Sequence, residues 1–220
     1  MKKYRLVIFD LDGTLLDTRD GILSAVKYTI NKTGLTPLED CVLQNFIGPP
    51  IGESFAKFYS ISDKKRVQEL VEIFRKQYKD IDLLKAEPYE GIYEVFESLN
   101  HMGIKTAIAT YKRQDFTETI LKHFGFDQYT DVIHGADYNN KLKKKDIIQL
   151  CLEETEINIE DAVMIGDTAH DAEAARQLGI DFLGVTYGFG FKTEKDVLEY
   201  TSLRTASEAK DILKILELDK

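Results

Sequence analysis

Two aspartates one residue apart, Asp10 and Asp12, followed at once by Gly13 and Thr14, are the residues of this chain best suited to chemistry. Paired carboxylates can divide a two-step reaction, one as nucleophile and the other as general acid/base. At this spacing they also repel, and a bound cation or a raised pKa must relieve the repulsion. They follow the run Leu6–Phe9, which is short, β-branched and aromatic, and ended by turn residues; it reads as a buried strand. Both carboxylates then lie at the strand's carboxyl end, the edge where open α/β sheets bind ligands. Gly13 admits the positive φ of a tight turn, which leaves backbone N–H groups near Asp10. A DxDG turn can equally be a plain strand ending, since Asp and Gly are ordinary turn residues. The remaining strand ends decide between the two.

The elements that must position these groups come from periodicity. Strands are expected at 104–110, 131–134, 162–165 and 182–186, with helices at 91–101, 114–124, 146–154, 169–178 and 206–218. Alternation of this kind implies a doubly wound parallel α/β sheet with helices on both faces. Between the first strand and the rest lies a block without strand character, 18–87. Ile22, Leu23, Val26 and Ile30 mark its first helix, with Gly34 as C-cap, and residues 38–47 a second. Phe55 and Phe58 belong to a third, after the break 48–52. Asp63 caps a longer one with Val67, Leu70, Val71, Phe74 and Tyr78 on one face. The expected organisation is a core of 1–17 and 88–220 and an inserted helical cap of 18–87, which could close over the sheet edge on two short linkers.

In a parallel sheet every strand's carboxyl end faces the same crevice. Thr110 follows the second core strand; Gly166 and Asp167 follow a later one, with Asp171 sharing Asp167's face if a helix starts there. The cation-rich run Lys141-Leu142-Lys143-Lys144-Lys145 precedes a helix. Hard oxygen ligands of this kind suit Mg²⁺, and a hydroxyl, a lysine and backbone N–H groups suit a phosphoryl group. Singly, each has a plain structural explanation: a cap, a strand threonine, a solvated charged face.

The 220 residues carry a formal net charge of −9, which disfavours a nucleic-acid partner. No apolar run is long enough to span a bilayer and no leader is evident, so a cytoplasmic protein without a membrane partner is expected, as monomer or homodimer. Cys41 and Cys151 fall in apolar helical patterns and read as small core residues, with neither disulfide nor zinc spacing. The histidines lack metal-ligand spacing, and Tyr187, Phe189 and Phe191 read as packing.

Asp10-Leu11-Asp12-Gly13-Thr14-Leu15, Thr110, a later lysine and Gly166-Asp167-Thr168-Ala169-His170-Asp171 together resemble the four motifs of the haloacid dehalogenase superfamily, phosphatase branch. The likeness spans nearly the whole chain. The helical insert, Asn45-Phe46-Ile47-Gly48-Pro49-Pro50 and Gly184-Val185-Thr186-Tyr187-Gly188-Phe189-Gly190 are similar to the phosphoglycolate phosphatase-like group. The resemblance implies that Asp10 is the nucleophile, forming an aspartyl-phosphate, and that Asp12 protonates the leaving alcohol and then activates water. It implies Mg²⁺ held by Asp10, the backbone carbonyl of Asp12 and Asp167, supported by Asp171. Thr110 would bind the transferring phosphoryl group and a lysine would neutralise its oxygens.

Two departures stand out. Tyr111 occupies a position often held by Asn, and the third motif lacks its usual prolines, so Lys141, Lys143, Lys144 and Lys145 compete; counting back from Asp146-Ile147-Ile148 favours Lys144. Arg19, Gly48 and Tyr111 are candidates to touch substrate. The expected substrate is a small phosphate ester, phosphoglycolate first and a nucleoside monophosphate second. The competing readings are a phosphosugar mutase of the same superfamily and a receiver-like phospho-aspartate module, against which the large insert argues. Dehalogenation does not need Asp12.

Overall fold

The computed structural model describes residues 4–130, 132–139, 141–200 and 204–216. In chain order its elements are β1 (Leu6–Phe9), β2 (Leu16–Asp17), α1 (Arg19–Lys32), α2 (Asp40–Leu43), α3 (Ile51–Phe58), α4 (Lys64–Gln77) and β3 (Glu87–Pro88). There follow α5 (Ile92–His101), β4 (Lys105–Arg113), α6 (Gln114–His123), β5 (Val132–Ala136), α7 (Lys144–Thr155) and β6 (Ala162–Gly166). The chain closes with α8 (Ala169–Leu178), β7 (Asp181–Gly184), α9 (Glu194–Leu198) and α10 (Asp211–Ile215).

Five strands form one parallel sheet in the order β5-β4-β1-β6-β7. The chain starts in the middle, builds outward to one side through β4 and β5, then crosses to β6 and β7. β1 therefore sits where the winding reverses, the place at which such sheets bind ligands. All four of its residues are fully buried, as a strand covered on both faces must be. Leu6 and Ile8 join Ile147, Ile148, Cys151, Met164 and Phe182 in the core on one face. The alternate residue Phe9 points the other way and stacks on Phe96 of α5 at 4.8 Å, which in turn meets Phe126 edge-on at 5.5 Å. This is the parallel α/β sheet that the alternating pattern implies.

The chain divides into two compact units, Met1–Asp17 with Pro88–Lys220, and Thr18–Glu87. The connecting segments pair as the short ribbon β2-β3, strand structure that two residues of hydrophobic pattern could not announce. Inside the helical unit Phe46 packs on Phe55 and Phe58, both at 5.2 Å. Asp63 caps α4, its carboxylate accepting from the Lys65 N–H at 2.9 Å. The helix expected at 38–47 is only α2 followed by a 3₁₀ turn, Gln44–Phe46.

Other expectations need correction. β4 runs to Arg113, three residues past the expected end, with a register irregularity against β5 between Ala109 and Arg113. The strand expected at 131–134 begins at Val132 and runs to Ala136; Asp131 lies outside the described residues. The closing helix is reduced to α10. Ala206 cannot start it, because its backbone is committed to the sheet end: its N–H donates to Gly184 O and its carbonyl accepts from Thr186 N, both at 3.0 Å. Residues 217–220 lie outside the described part. Cys41 is exposed, on the solvent side of its short helix, whereas Cys151 is buried as expected. Among the described residues no helix is long and apolar enough to cross a membrane.

Candidate active site

Register brings the carboxylates together. Phe9 lies opposite Ile108 and Ile165, so the next residue, Asp10, emerges level with the end of β6 and beside the last part of β4. Its N–H donates to Ile165 O at 2.8 Å, holding it to the sheet. Asp167 is the first residue past β6. It is not on a helix, as the shared-face expectation required. Instead Asp171, in the first turn of α8, folds back: its Oδ2 accepts from Thr168 N at 3.1 Å and Thr168 Oγ1 at 2.6 Å, closing the helix start. Carboxylate oxygens of Asp10, Asp167 and Asp171 come within 4.8 Å of one another, all buried.

Lys144 is the lysine of its run that enters this cluster. As the first residue of α7 it is buried, and its Nζ lies 2.6 Å from both Asp10 Oδ1 and Asp171 Oδ1. Lys141, Lys143 and Lys145 are exposed. The start of α7 is fixed from two sides. Asp146 Oδ2 accepts from Lys143 N at 2.8 Å, and the Tyr111 hydroxyl accepts from Lys144 N at 3.0 Å. Tyr111 also meets His170 edge-on at 5.7 Å. Thr110, buried within β4 and three residues before its end, accepts from Lys112 N at 3.2 Å. The side chain of Asp12 stands apart from the triad and pairs through Oδ1 with Lys112 Nζ at 2.9 Å. Arg19, first in α1, and Gly48, in a turn with φ +99°, belong to the helical unit and not to the one that carries the carboxylates.

Lys112 escaped the sequence reading. It lies two residues beyond Thr110, which on a strand means the same face, and that spacing was the available signal. Equally unanticipated is the loop after β7: Phe189 N and Gly190 N donate to Asp167 Oδ2 at 2.7 and 3.0 Å.

The electrostatics follow from burial. Desolvation pushes Asp10 up to about 7, assisted by Asp171 and Asp12 and opposed by Lys144. Asp167 is pushed up to about 8 by burial and then by Asp10 and Asp171, against the two loop N–H groups. Burial would lower the Lys144 ammonium, but Asp10 and Asp171 outweigh it and the group is held well above its ordinary value. With all four carboxylates ionised, four negative charges face two ammonium groups here, and the excess of two is that of one divalent cation. The donor set fits such an ion: hard oxygens, with Asp167 Oδ1 buried and lacking any hydrogen-bond partner.

Two outcomes are expected. A carboxyl whose pKa is raised by folding makes the native state bind more protons than the unfolded one, so stability falls as pH rises through that pKa. In chelator, the melting temperature should therefore rise as pH is lowered from about 9 to about 6, through the values near 8 and 7 cited for Asp167 and Asp10. Added Mg²⁺ should stabilise more at the alkaline end, and a Mg²⁺ effect independent of pH would contradict this. Lys144→Met leaves two buried carboxylates without their cation; denaturant unfolding at alkaline pH should show a loss of roughly 3–5 kcal/mol, partly regained near pH 6.

The sequence matches the profile of the haloacid dehalogenase-like hydrolases over residues 7–185. It is 33% identical to a 5′-nucleotidase of Pseudomonas aeruginosa over 193 residues, 87% of each chain. It is 31% identical to the pyrophosphatase PpaX of Halalkalibacterium halodurans, covering 96% of this chain and 95% of that one. The crystal structure of a predicted phosphatase from Clostridium acetobutylicum superposes with a TM-score of 0.89 at 33% identity, over 98% of this chain and 99% of that one. The chain belongs to the haloacid dehalogenase-like hydrolases.

Proposed function

We propose that the protein is a Mg²⁺-dependent phosphomonoester hydrolase that works through an aspartyl-phosphate on Asp10. The observation that carries this reading is the buried triad of Asp10, Asp167 and Asp171 crossed by Lys144. Phosphoryl transfer is mostly positioning and charge stabilisation, and this cluster is built for both.

In the first step an Asp10 carboxylate oxygen attacks phosphorus and the bond to the leaving oxygen breaks. Asp12 supplies the proton that the leaving alcohol needs. In the second step Asp12 takes a proton from water as the water oxygen attacks phosphorus, which frees Asp10 and inorganic phosphate. A general acid/base of this kind is worth about 10²–10⁴ in rate. Lys144 orients Asp10 and offers charge to the phosphoryl oxygens, while Thr110 offers its hydroxyl. Asp10, Asp167 and the Asp12 carbonyl would hold Mg²⁺, with Asp171 close by. When bound, the ion supplies charge that offsets repulsion between a carboxylate nucleophile and a phosphate dianion. Tyr111 holds the backbone of Lys144 and so helps to place its ammonium.

The substrate is a small phosphorylated metabolite. The cap and C-terminal motifs support phosphoglycolate; the name of the Pseudomonas aeruginosa relative supports a nucleoside monophosphate. Fold alone does not choose between them. A panel of phosphate esters with Mg²⁺, read by released phosphate, is expected to yield at least one turned-over member. Asp12→Asn should cost roughly 10²–10⁴ in kcat on an alkyl phosphate and less on p-nitrophenyl phosphate, whose leaving group needs no acid. Isomerised sugar phosphate without free phosphate would instead mark a mutase, and no turnover of any ester would count against hydrolysis.

A further inference from the structure

The loop that follows β7 has no part in the reaction just described, yet its backbone holds one carboxylate of the cluster. Asp167 is fully buried. Its Oδ2 accepts two backbone hydrogen bonds, from Phe189 N at 2.7 Å and Gly190 N at 3.0 Å. Its own carbonyl accepts a third contact with the loop, from Phe191 N at 2.7 Å. Its Oδ1, by contrast, is buried with no hydrogen-bond partner. One oxygen is thus saturated by protein and the other is left for something else.

The grip depends on close approach. A Cβ on Gly188 would collide with Gly13 O and the Asp167 side chain, and one on Gly190 with the Asp167 carbonyl. Gly13, at φ +86°, leaves no room for a side chain beside Asp167 Oδ2 either. The loop is anchored at its start, where the Tyr187 hydroxyl donates to Thr14 O at 3.1 Å, and braced internally, where Lys192 Nζ donates to Gly188 O at 2.6 Å. It therefore ties the turn after Asp12 to the turn after β6, the two segments that carry the site.

We infer that loop 187–192 is a positioning element that selects Mg²⁺ over Ca²⁺, by occupying Asp167 Oδ2 so that the carboxylate ligates through Oδ1 alone. Mg²⁺ demands near-ideal octahedral geometry with single-oxygen ligands, whereas Ca²⁺ accepts bidentate carboxylates and larger, irregular shells. A carboxylate with one oxygen locked to backbone N–H groups cannot turn bidentate. Groups outside the ligand shell that orient a ligand typically change metal affinity by about 10–100-fold when removed. The inference rests on the reading of this cluster as a divalent-cation site.

Isothermal titration of the full chain with MgCl₂ and, separately, CaCl₂ tests it without recourse to turnover. Gly190→Ala should lose Mg²⁺ affinity by roughly tenfold or more and keep or gain Ca²⁺ affinity, so that the ratio of the two dissociation constants moves toward Ca²⁺. The double variant Tyr187→Phe/Lys192→Met leaves every backbone donor in place and only loosens the anchor to Thr14 and the internal brace; it should shift the ratio in the same direction by a smaller factor. It carries the test if circular dichroism shows Gly190→Ala unfolded. Folded variants with an unchanged ratio, or with both ions weakened equally, overturn the inference while the site reading stands. Wild-type protein that binds neither ion overturns the site reading and the inference with it.

Discussion

Three carboxylates with oxygens inside 4.8 Å of one another, all buried, form an arrangement that no protein core tolerates unaided. Desolvation and mutual repulsion both oppose ionisation, and the rest of the unit is disposed to meet that demand. Lys144 reaches across from α7 to two of the three at 2.6 Å. The remaining one, Asp167, is held by the backbone of the loop after β7. Even so, two of the carboxyls keep raised pKa values near 7 and 8. A buried network satisfied in part is a costly one, and one more positive partner would complete it.

The fold supplies that network at little local expense. A parallel sheet started at its centre gives β1 a neighbour on each side; β6 ends level with Asp10, and β4 carries Thr110, Tyr111 and Lys112 on past it. Helices α7 and α8 begin where their first turns point back at the same edge, so one brings an ammonium and the other a carboxylate. Tyr111 shows how the pieces interlock. Its hydroxyl satisfies a backbone N–H at the start of α7 that no helical partner can reach, and thereby fixes the residue whose ammonium offsets the triad. A change at this position would be felt at Asp10 without any contact between the two.

Much of this was legible in the chain. The apolar run before Asp10 reads as a buried strand, and Gly166-Asp167 with Asp171 follows another; a parallel sheet then brings them to one edge. The register of Lys144 was readable from the helix that follows it. What was not legible depended on tertiary choices. Lys112 pairs with Asp12 only because β4 continues past its hydrophobic stretch with an irregular register. The loop's hold on Asp167 uses backbone N–H groups, which every residue but proline possesses and which leave no mark on sequence. The C-terminal apolar pattern suggested a long helix, but Ala206 had already spent its backbone hydrogen bonds on the sheet end. Cys41 looked like a core residue because a four-residue helix is too short for its periodicity to say which side faces solvent.

The central claim is that the oxygen attacking phosphorus belongs to Asp10. Acid-quenched reactions with a turned-over ester, digested and read by mass spectrometry, test it most directly. Phosphate is expected on the peptide bearing Asp10 and absent in Asp10→Asn, together with loss of steady-state turnover in that variant. Phosphate release by Asp10→Asn at the wild-type rate, or label on another residue, would contradict it.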